Sequence, residues 1–251
     1  MNRIAGAGTF GPLDGHQRPP GGIIDFLAEQ GALALHILKF LLPAVPATIG
    51  ITLSSFALAL ILGTLVGLAP LVRSRVLTFA CRIYVDVLRG VPLLVQIFFI
   101  YFGLGSVLNL NRFAAGVLAV GVGYSAYLAE IIRAGVFSIA HGQHEAAAAL
   151  GMSRGQALRH VILPQATRTI IPPTANEFIA CLKDSSLVSI IGLRELTRAG
   201  REYYSQYFVD FQTWLLVGLI YLVMTLALTK LTRHLERRFA VRGFGTGGLR
   251  R

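Results

Sequence analysis

Residues 45–72, VPATIGITLSSFALALILGTLVGLAPLV, carry no charged side chain, and this run constrains the chain more than any other feature. Hydrocarbon offers no water to backbone N–H and C=O groups, so a segment of this kind crosses a bilayer as a helix. Three further runs repeat the pattern. Residues 91–110 (VPLLVQIFFIYFGLGSVLNL) and 211–229 (FQTWLLVGLIYLVMTLALT) are uncharged, and 113–132 (FAAGVLAVGVGYSAYLAEII) holds only Glu130. Each is long enough as a helix for the ~30 Å of a bilayer core. Only 14% of the chain is charged, against about 25% in a soluble domain. The expected class is therefore an all-α integral membrane protein.

A fifth run, PPTANEFIACLKDSSLVSIIGL (172–193), contains Glu177, Lys183 and Asp184 and ranks weakest by hydropathy. The distribution of Lys and Arg decides for it. Basic residues cluster in 71–90, in 133–168 and in the tail from Lys230 onward, whereas in 194–210 three Arg face Glu195, Glu202 and Asp210. Five spans (45–72, 91–110, 113–132, 172–193 and 211–229), with the N-terminus outside, put all three basic segments in the cytoplasm. Four spans would put the tail opposite segment 71–90. This clustering also explains the net charge of +11 without nucleic acid. The expected division is an extracytoplasmic segment 1–43 with an interfacial helix over 23–43, a transmembrane domain 44–230 and a basic tail 231–251. Residues 1–22 are Gly/Pro-rich and lack the apolar core of a signal peptide. Cys81 and Cys181 show no paired spacing, and the histidines form no liganding cluster.

Between the third and fourth spans lies EAAAALGMSRGQALRHVILPQA (145–166), part of a cytoplasmic loop 140–166. Alanine favours helix, so 144–150 should form two turns, with Glu145 in the first. Gly151 suits the positive φ of a helix end, and Leu163-Pro164 should break the pattern at the next membrane entry. A helix this short is unstable alone, so it must dock, either on its own protein or on another body. The methyl-sized surface of Ala146, Ala147, Ala148 and Ala149 allows close approach.

The spacing Glu145-Ala146-Ala147, Gly151, Val161 and Leu163-Pro164 resembles the EAA loop of permease subunits of ABC importers. The resemblance covers about 47–238 and is closest to the polar amino acid subfamily (His, Glu, Gln, Arg and opine carriers). RGVPLLVQIFFIYFGL (89–104), YLAEIIRAGV (127–136), GQHEAAAALGMSRGQALRHVILPQA (142–166) and NEFIACLKDSSLVSIIGLRELTRAG (176–200) carry it. GYSAY (123–127) departs from the Asn-Ser-Ala-Ala-Tyr of many members, and residues 1–40 match nothing. The resemblance implies a five-span type I permease fold, like that of a methionine importer permease, in a bacterial inner membrane. It implies that Glu145, Ala146, Ala147, Ala148, Gly151, Leu163 and Pro164 couple the chain to a separate ATPase. The implied partners are two ATPase copies, a second permease copy (identical or paralogous), an extracytoplasmic solute-binding protein, an amino acid and the lipid bilayer. The chain has no G-x-x-x-x-G-K-[ST] phosphate loop, so it is not expected to be an enzyme. ATP and Mg belong to the partner ATPase, and no cofactor is expected on this chain.

Ionisable side chains inside a span line a pathway or pair with each other. Asn176 and Glu177, in an irregular first turn after Pro172-Pro173, could face a central cavity and meet a substrate ammonium; alternatively Glu177 pairs with a buried basic residue. Asp184 follows on roughly the same face. Lys183 points elsewhere and reads as structural or gating, as do Arg89 and Pro92 at a helix break. Glu130 is one turn from Arg133 and should pair with it. Gly63 and Gly67 form a GxxxG packing face. Tyr203, Tyr204, Tyr207 and Trp214 resemble an interfacial aromatic belt. A permease for another amino-acid-like solute is the near alternative. An ion-coupled secondary transporter should show internal repeats, and a membrane enzyme a catalytic constellation; neither accounts for the EAA loop.

Overall fold

The computed structural model describes residues 23–72 and 74–239; residues 1–22, Arg73 and the tail beyond Phe239 lie outside the described residues. All regular elements among them are helical: α1 (Ile23–Leu41), α2 (Val45–Leu68), α3 (Arg75–Gly90), α4 (Leu93–Phe98), α5 (Gly105–Leu108), α6 (Arg112–Phe137), α7 (His141–Ala149), α8 (Arg154–Ala157), α9 (Leu163–Asp184), α10 (Leu196–Tyr207) and α11 (Phe211–Phe239).

The pair α2 and α6 forms the centre. Ile51 lies by Gly116, Ser55 by Gly121, Gly63 by Ser125 and Leu128, and Gly67 by Ala129 and Ile132. Both numbers rise together, so the two helices run parallel, and a crossing in the opposite sense must lie between them in the chain. The GxxxG face is what brings them together. A Cβ on Gly63 would stand 2.7 Å from the Leu128 Cβ, and one on Gly67 2.7 Å from the Ala129 carbonyl oxygen. Small residues allow this backbone-to-backbone approach, which lipid-exposed helices need because hydrophobicity does not drive them together in hydrocarbon.

The intervening crossing is broken. α3 and the apolar stretch Leu93–Leu104 meet at 104°, at the break expected over Arg89–Pro92. The run 91–110 is thus not one helix but α4, a π turn at Phe99–Leu104 and α5, closed by Asn109 in the left-handed region (φ 51°). A break frees backbone carbonyls, and buried ones require partners. Gln96 supplies them: its side-chain amide donates to Leu88 O (2.8 Å) and Val91 O (2.9 Å). Nothing in its sequence neighbourhood marks it for that task.

α1 runs through a 3-10 turn at Leu42–Ala44 into α2, giving an apolar helical stretch of 46 residues, Leu27–Val72. At 1.5 Å per residue this is about 69 Å, twice a bilayer core. Its first part packs on protein: Ile37 and Leu41 are buried with Leu196, Ala199, Tyr203 and Val217. Arg112–Phe137 and Phe211–Arg233 are also long and apolar enough to cross a membrane, and the bent pair adds a fourth candidate.

α9 corrects two expectations. The helix does not start irregularly at Pro172-Pro173; it starts at Leu163 and holds both prolines inside. Leu163-Pro164 does not break the chain's helical course either. Pro164 lies in the first turn of α9, where its missing N–H is tolerated, and a π turn at Leu158–Ile162 joins it to α8. Glu177 is therefore several turns into the helix. α9 ends at Asp184 and continues as a 3-10 segment, Ser185–Ile191, that stops at Gly192 (φ 83°).

α10 is fastened at its start by Glu195, which is fully buried. This carboxylate accepts from the Thr197 and Arg198 amides (2.9 and 2.8 Å) and from the Tyr221 hydroxyl (2.8 Å), so a charged acceptor caps the helix where the dipole favours it. Tyr203 departs from the expected aromatic belt. It is 1% exposed, its hydroxyl hydrogen-bonds His36 Nδ1 at 2.9 Å, and it is core rather than belt. Tyr204, Tyr207 and Trp214 remain exposed. Glu130 and Arg133 form the expected i,i+3 ion pair.

Three substitutions probe this framework. Gly63→Leu should collapse the α2–α6 contact and lower the melting temperature or the yield of folded protein, whereas Gly50→Leu, at a site with nothing within 4 Å of a Cβ, should leave both unchanged. Gln96→Leu removes the donors to two part-buried carbonyls and should lower the melting temperature, each carbonyl costing less than the ~1–3 kcal/mol of a fully buried unmatched group. Thermal unfolding in one detergent, compared across the three variants, checks all of them.

Candidate functional site

α7 has nine residues, fewer than the ~12–15 at which an isolated helix becomes marginal. The chain immediately after it holds it in place. Ala147 is its buried residue, and the helix lies on α8 and the π turn. The Gln165 amide donates both to Gln143 Oε1 (3.1 Å) and to Val161 O (2.9 Å), clamping α7 to the start of α9. At its end the Gly151 N–H donates to Ala148 O (2.9 Å) and the Met152 N–H to Ala147 O (3.1 Å). This Schellman closure requires a left-handed residue, and Gly151 supplies it with φ 75°. Ser153 and Gln156 then form a capping box that starts α8.

The opposite face of α7 is open. Glu145, Ala146, Ala148 and Ala149 are exposed, and Leu150 at the helix end is 78% exposed. Glu145 is in the second turn, not the first, because α7 begins at His141. It pairs with that histidine at 3.1 Å, a solvent-exposed contact of little energy. Leu163 is half-buried and Pro164 exposed at the root of α9. The residues Glu145, Ala146, Ala148, Gly151 and Pro164 thus share an accessible end of the molecule, while Ala147 supports them from within.

The second group lies along α9. Asp184 is half-buried, and one of its oxygens accepts from the Tyr124 hydroxyl of α6 at 2.8 Å. Glu177 is half-buried seven residues earlier, on the same face, within electrostatic reach of Arg89 and Asp184. Asn176 and Lys183 each step off this face by about 100° and are exposed. Arg89, at the end of α3, stacks over the Tyr127 ring at 5.4 Å, a cation–π contact. Pro92 caps α4 on the far side of the break. Glu177 is thus within electrostatic reach of both Asp184 and Arg89, while Asn176 and Lys183 turn off that face. Tyr124 is the member that sequence reasoning missed. It sits in GYSAY, where the chain departs from the family pattern, and its partner is 60 residues away.

A cavity of about 520 Å3 opens next to Arg89, between α2, α3 and α6, with Arg82, Asp86, Glu130 and Arg133 on its walls. Among the described residues no group of His, Cys, Asp and Glu could hold a metal ion.

Comparison with known proteins agrees with this architecture. Residues 56–241 match the family described as binding-protein-dependent transport system inner membrane component. The glutamine transport system permease protein GlnP of Escherichia coli (strain K12) is 39% identical over 197 residues, covering 77% of this chain and 90% of that protein. The arginine transport system permease protein ArtQ of Bacillus subtilis (strain 168) is 35% identical over 203 residues, covering 80% and 93%. A crystal structure of an amino acid ABC transporter with histidines superposes with a TM-score of 0.76 at 35% identity, covering 87% of this chain and 99% of that one. The inward-facing MetNI methionine ABC transporter superposes with a TM-score of 0.71 at 18% identity, covering 81% and 98%, and so shares the fold. The chain belongs to the inner membrane component family of binding-protein-dependent transport systems: it is a multi-pass inner-membrane permease with the type I ABC importer fold.

Proposed function

We propose that the chain is the transmembrane subunit of an importer for polar amino acids, one of two copies, identical or paralogous, that enclose the path. It crosses the membrane five times with its N-terminus outside and its C-terminus in the cytoplasm. A solute-binding protein delivers the amino acid outside, and two ATPase subunits, which carry ATP and Mg, bind inside. The observation that carries this reading is α7: a helix too short to stand alone, supported on one side through Ala147, and presenting Glu145, Ala146, Ala148 and Leu150 on the other. A cleft in the ATPase closes on that face, with Gly151, Leu163 and Pro164 fixing its position. The pairing of Gln143 with Gln165 passes the displacement of α7 directly to α9.

α9 carries the residues assigned to the path. Asp184 and Glu177 offer carboxylates to the ammonium group of the solute, with Asn176 beside them. Arg89, Pro92 and Lys183 act at the helix break and the subunit boundary, in gating or structural roles. Alternating access needs no tight site. It needs an affinity that differs between the two states, with ATP setting the balance between them. A permease for a related amino-acid-like solute would use the same parts. The ion-coupled alternative gains no support from the fold, whose central pair is two parallel helices related by no inverted repeat.

Ala148→Arg tests the docking face without disturbing the fold, since Ala148 is exposed. The ATPase should co-purify with the unaltered chain in mild detergent and be lost from the variant at unchanged thermal stability. Retention at the full ratio would move the docking site away from α7, and absence of an ATPase from the folded unaltered chain would sink the importer reading. In reconstituted transporter, Asp184→Asn should reduce uptake at least about tenfold, equivalent to roughly 1.4 kcal/mol. Tyr124→Phe, which leaves the charge but removes its donor, should fall between. Normal uptake by both variants would make Asp184 a structural residue.

A further inference from the structure

Four described residues hold a positive φ: Gly151, Gly192, Asn109 and Phe208. Three are the types that adopt this backbone readily, each ending a helical segment. Phe208 ends α10, with φ 55° and ψ 29° and its N–H donating to Tyr204 O at 2.8 Å. A bulky residue is a genuine outlier there, and glycine would make the same turn without opposition from a β-carbon. Packing among the described residues does little to compensate, because the Phe208 side chain is 81% exposed there. Contacts among the described residues therefore do not account for phenylalanine at this corner.

The surroundings indicate what does. Phe211, 71% exposed, starts α11. Below it Leu215, Leu219, Leu222 and Leu226 are exposed at helical spacing, a continuous apolar stripe down one of the helices able to cross a membrane. Asp210 is the last charge before α11 and Lys230 the first one along it, so the uncharged stretch between them matches the ~30 Å of a bilayer core. This places Phe208 and Phe211 at the boundary where hydrocarbon meets headgroups. Tyr207 and Trp214 flank them, partly exposed, with the polar-tipped rings that favour this depth. Phenylalanine has no polar tip, so its ring belongs with the acyl chains.

We propose that Phe208 and Phe211 form a membrane anchor at the α10–α11 corner, two rings inserted among lipid acyl chains at the membrane–water boundary, with the bilayer itself as partner. The left-handed turn ends α10 at the first ring, three residues before the second at the start of α11. The assignment needs only that α11 crosses the bilayer, not a particular solute or direction.

A nitroxide side chain on Phe208→Cys, in the complete transporter in lipid bilayers, tests this, with Cys81 and Cys181 replaced by Ala and no other reactive cysteine in the assembly. Collision with oxygen, which concentrates in lipid, is compared with collision with a water-soluble nickel chelate. The anchor requires oxygen to dominate, with and without the solute-binding protein. Dominance of the chelate would overturn it in favour of a water-exposed corner. Low collision with both would also overturn it, in favour of a protein partner, identified as the solute-binding protein if collisions rise on its removal and as the second permease copy if they do not. Phe211→Cys, on regular helix, gives the same reading should Phe208→Cys fail to assemble, and Ser205→Cys serves as the exposed reference on α10.

Discussion

The contact between the backbones of α2 and α6 is the interaction on which the other parts depend. Gly63 and Gly67 admit no side chain there, so the distance between the two helices is fixed by main-chain atoms rather than by adjustable rotamers. α6 then serves as a reference surface. Its Ser125 accepts or donates a 2.6 Å hydrogen bond with Tyr84 of α3, its Tyr124 holds Asp184 of α9, and its Gly135 takes the Ile170 side chain at a distance no Cβ could share. α7 begins just past its end. A change in α2–α6 spacing would therefore reach Asp184 and α7 together.

Interiors of membrane proteins tolerate irregular backbone only where its polar groups are answered. Two of the irregular stretches in this chain are answered in different ways. At the α3–α4 break a side chain, Gln96, replaces the lost helical donors. Ahead of α9 the irregularity is a π turn, which lets the chain enter the helix ahead of Pro164. Glu195 gives a third solution, a buried carboxylate whose oxygens are all occupied by donors from α10 and α11.

Locality decides how much of the molecule was legible in the sequence. Uncharged runs, the GxxxG face, the Ala-rich helix with Gly151 at its end and the Glu130–Arg133 pair are all patterns within a few residues, and the structure contains each. The EAA spacing led to the family in the same way. Several of the misreadings come from pairings made across the fold. Tyr203 looks like a belt residue until His36, 167 positions away, is seen against it. Tyr124 and Gln96 have no local sign of their partners. Pro164 and Pro172-Pro173 mark a helix break in a soluble context, but the neighbouring π turn and the packing of α9 against α6 let the helix persist. Glu145 shifted out of the first turn because the helix takes in His141 to Gln143, the first two of which have weak helix propensity.

The parallel arrangement of α2 and α6 also bears on how the chain is made. Antiparallel neighbours can pair as soon as the second is synthesised, but here the natural partner of α2 emerges only after the bent crossing has entered the bilayer and returned. Until then the glycine face of α2 is bare to lipid, and the helix waits in the membrane without its closest contact. Completion of the centre thus waits for α6, and a chain truncated before it would lack the surface on which α2, α3 and α4 pack.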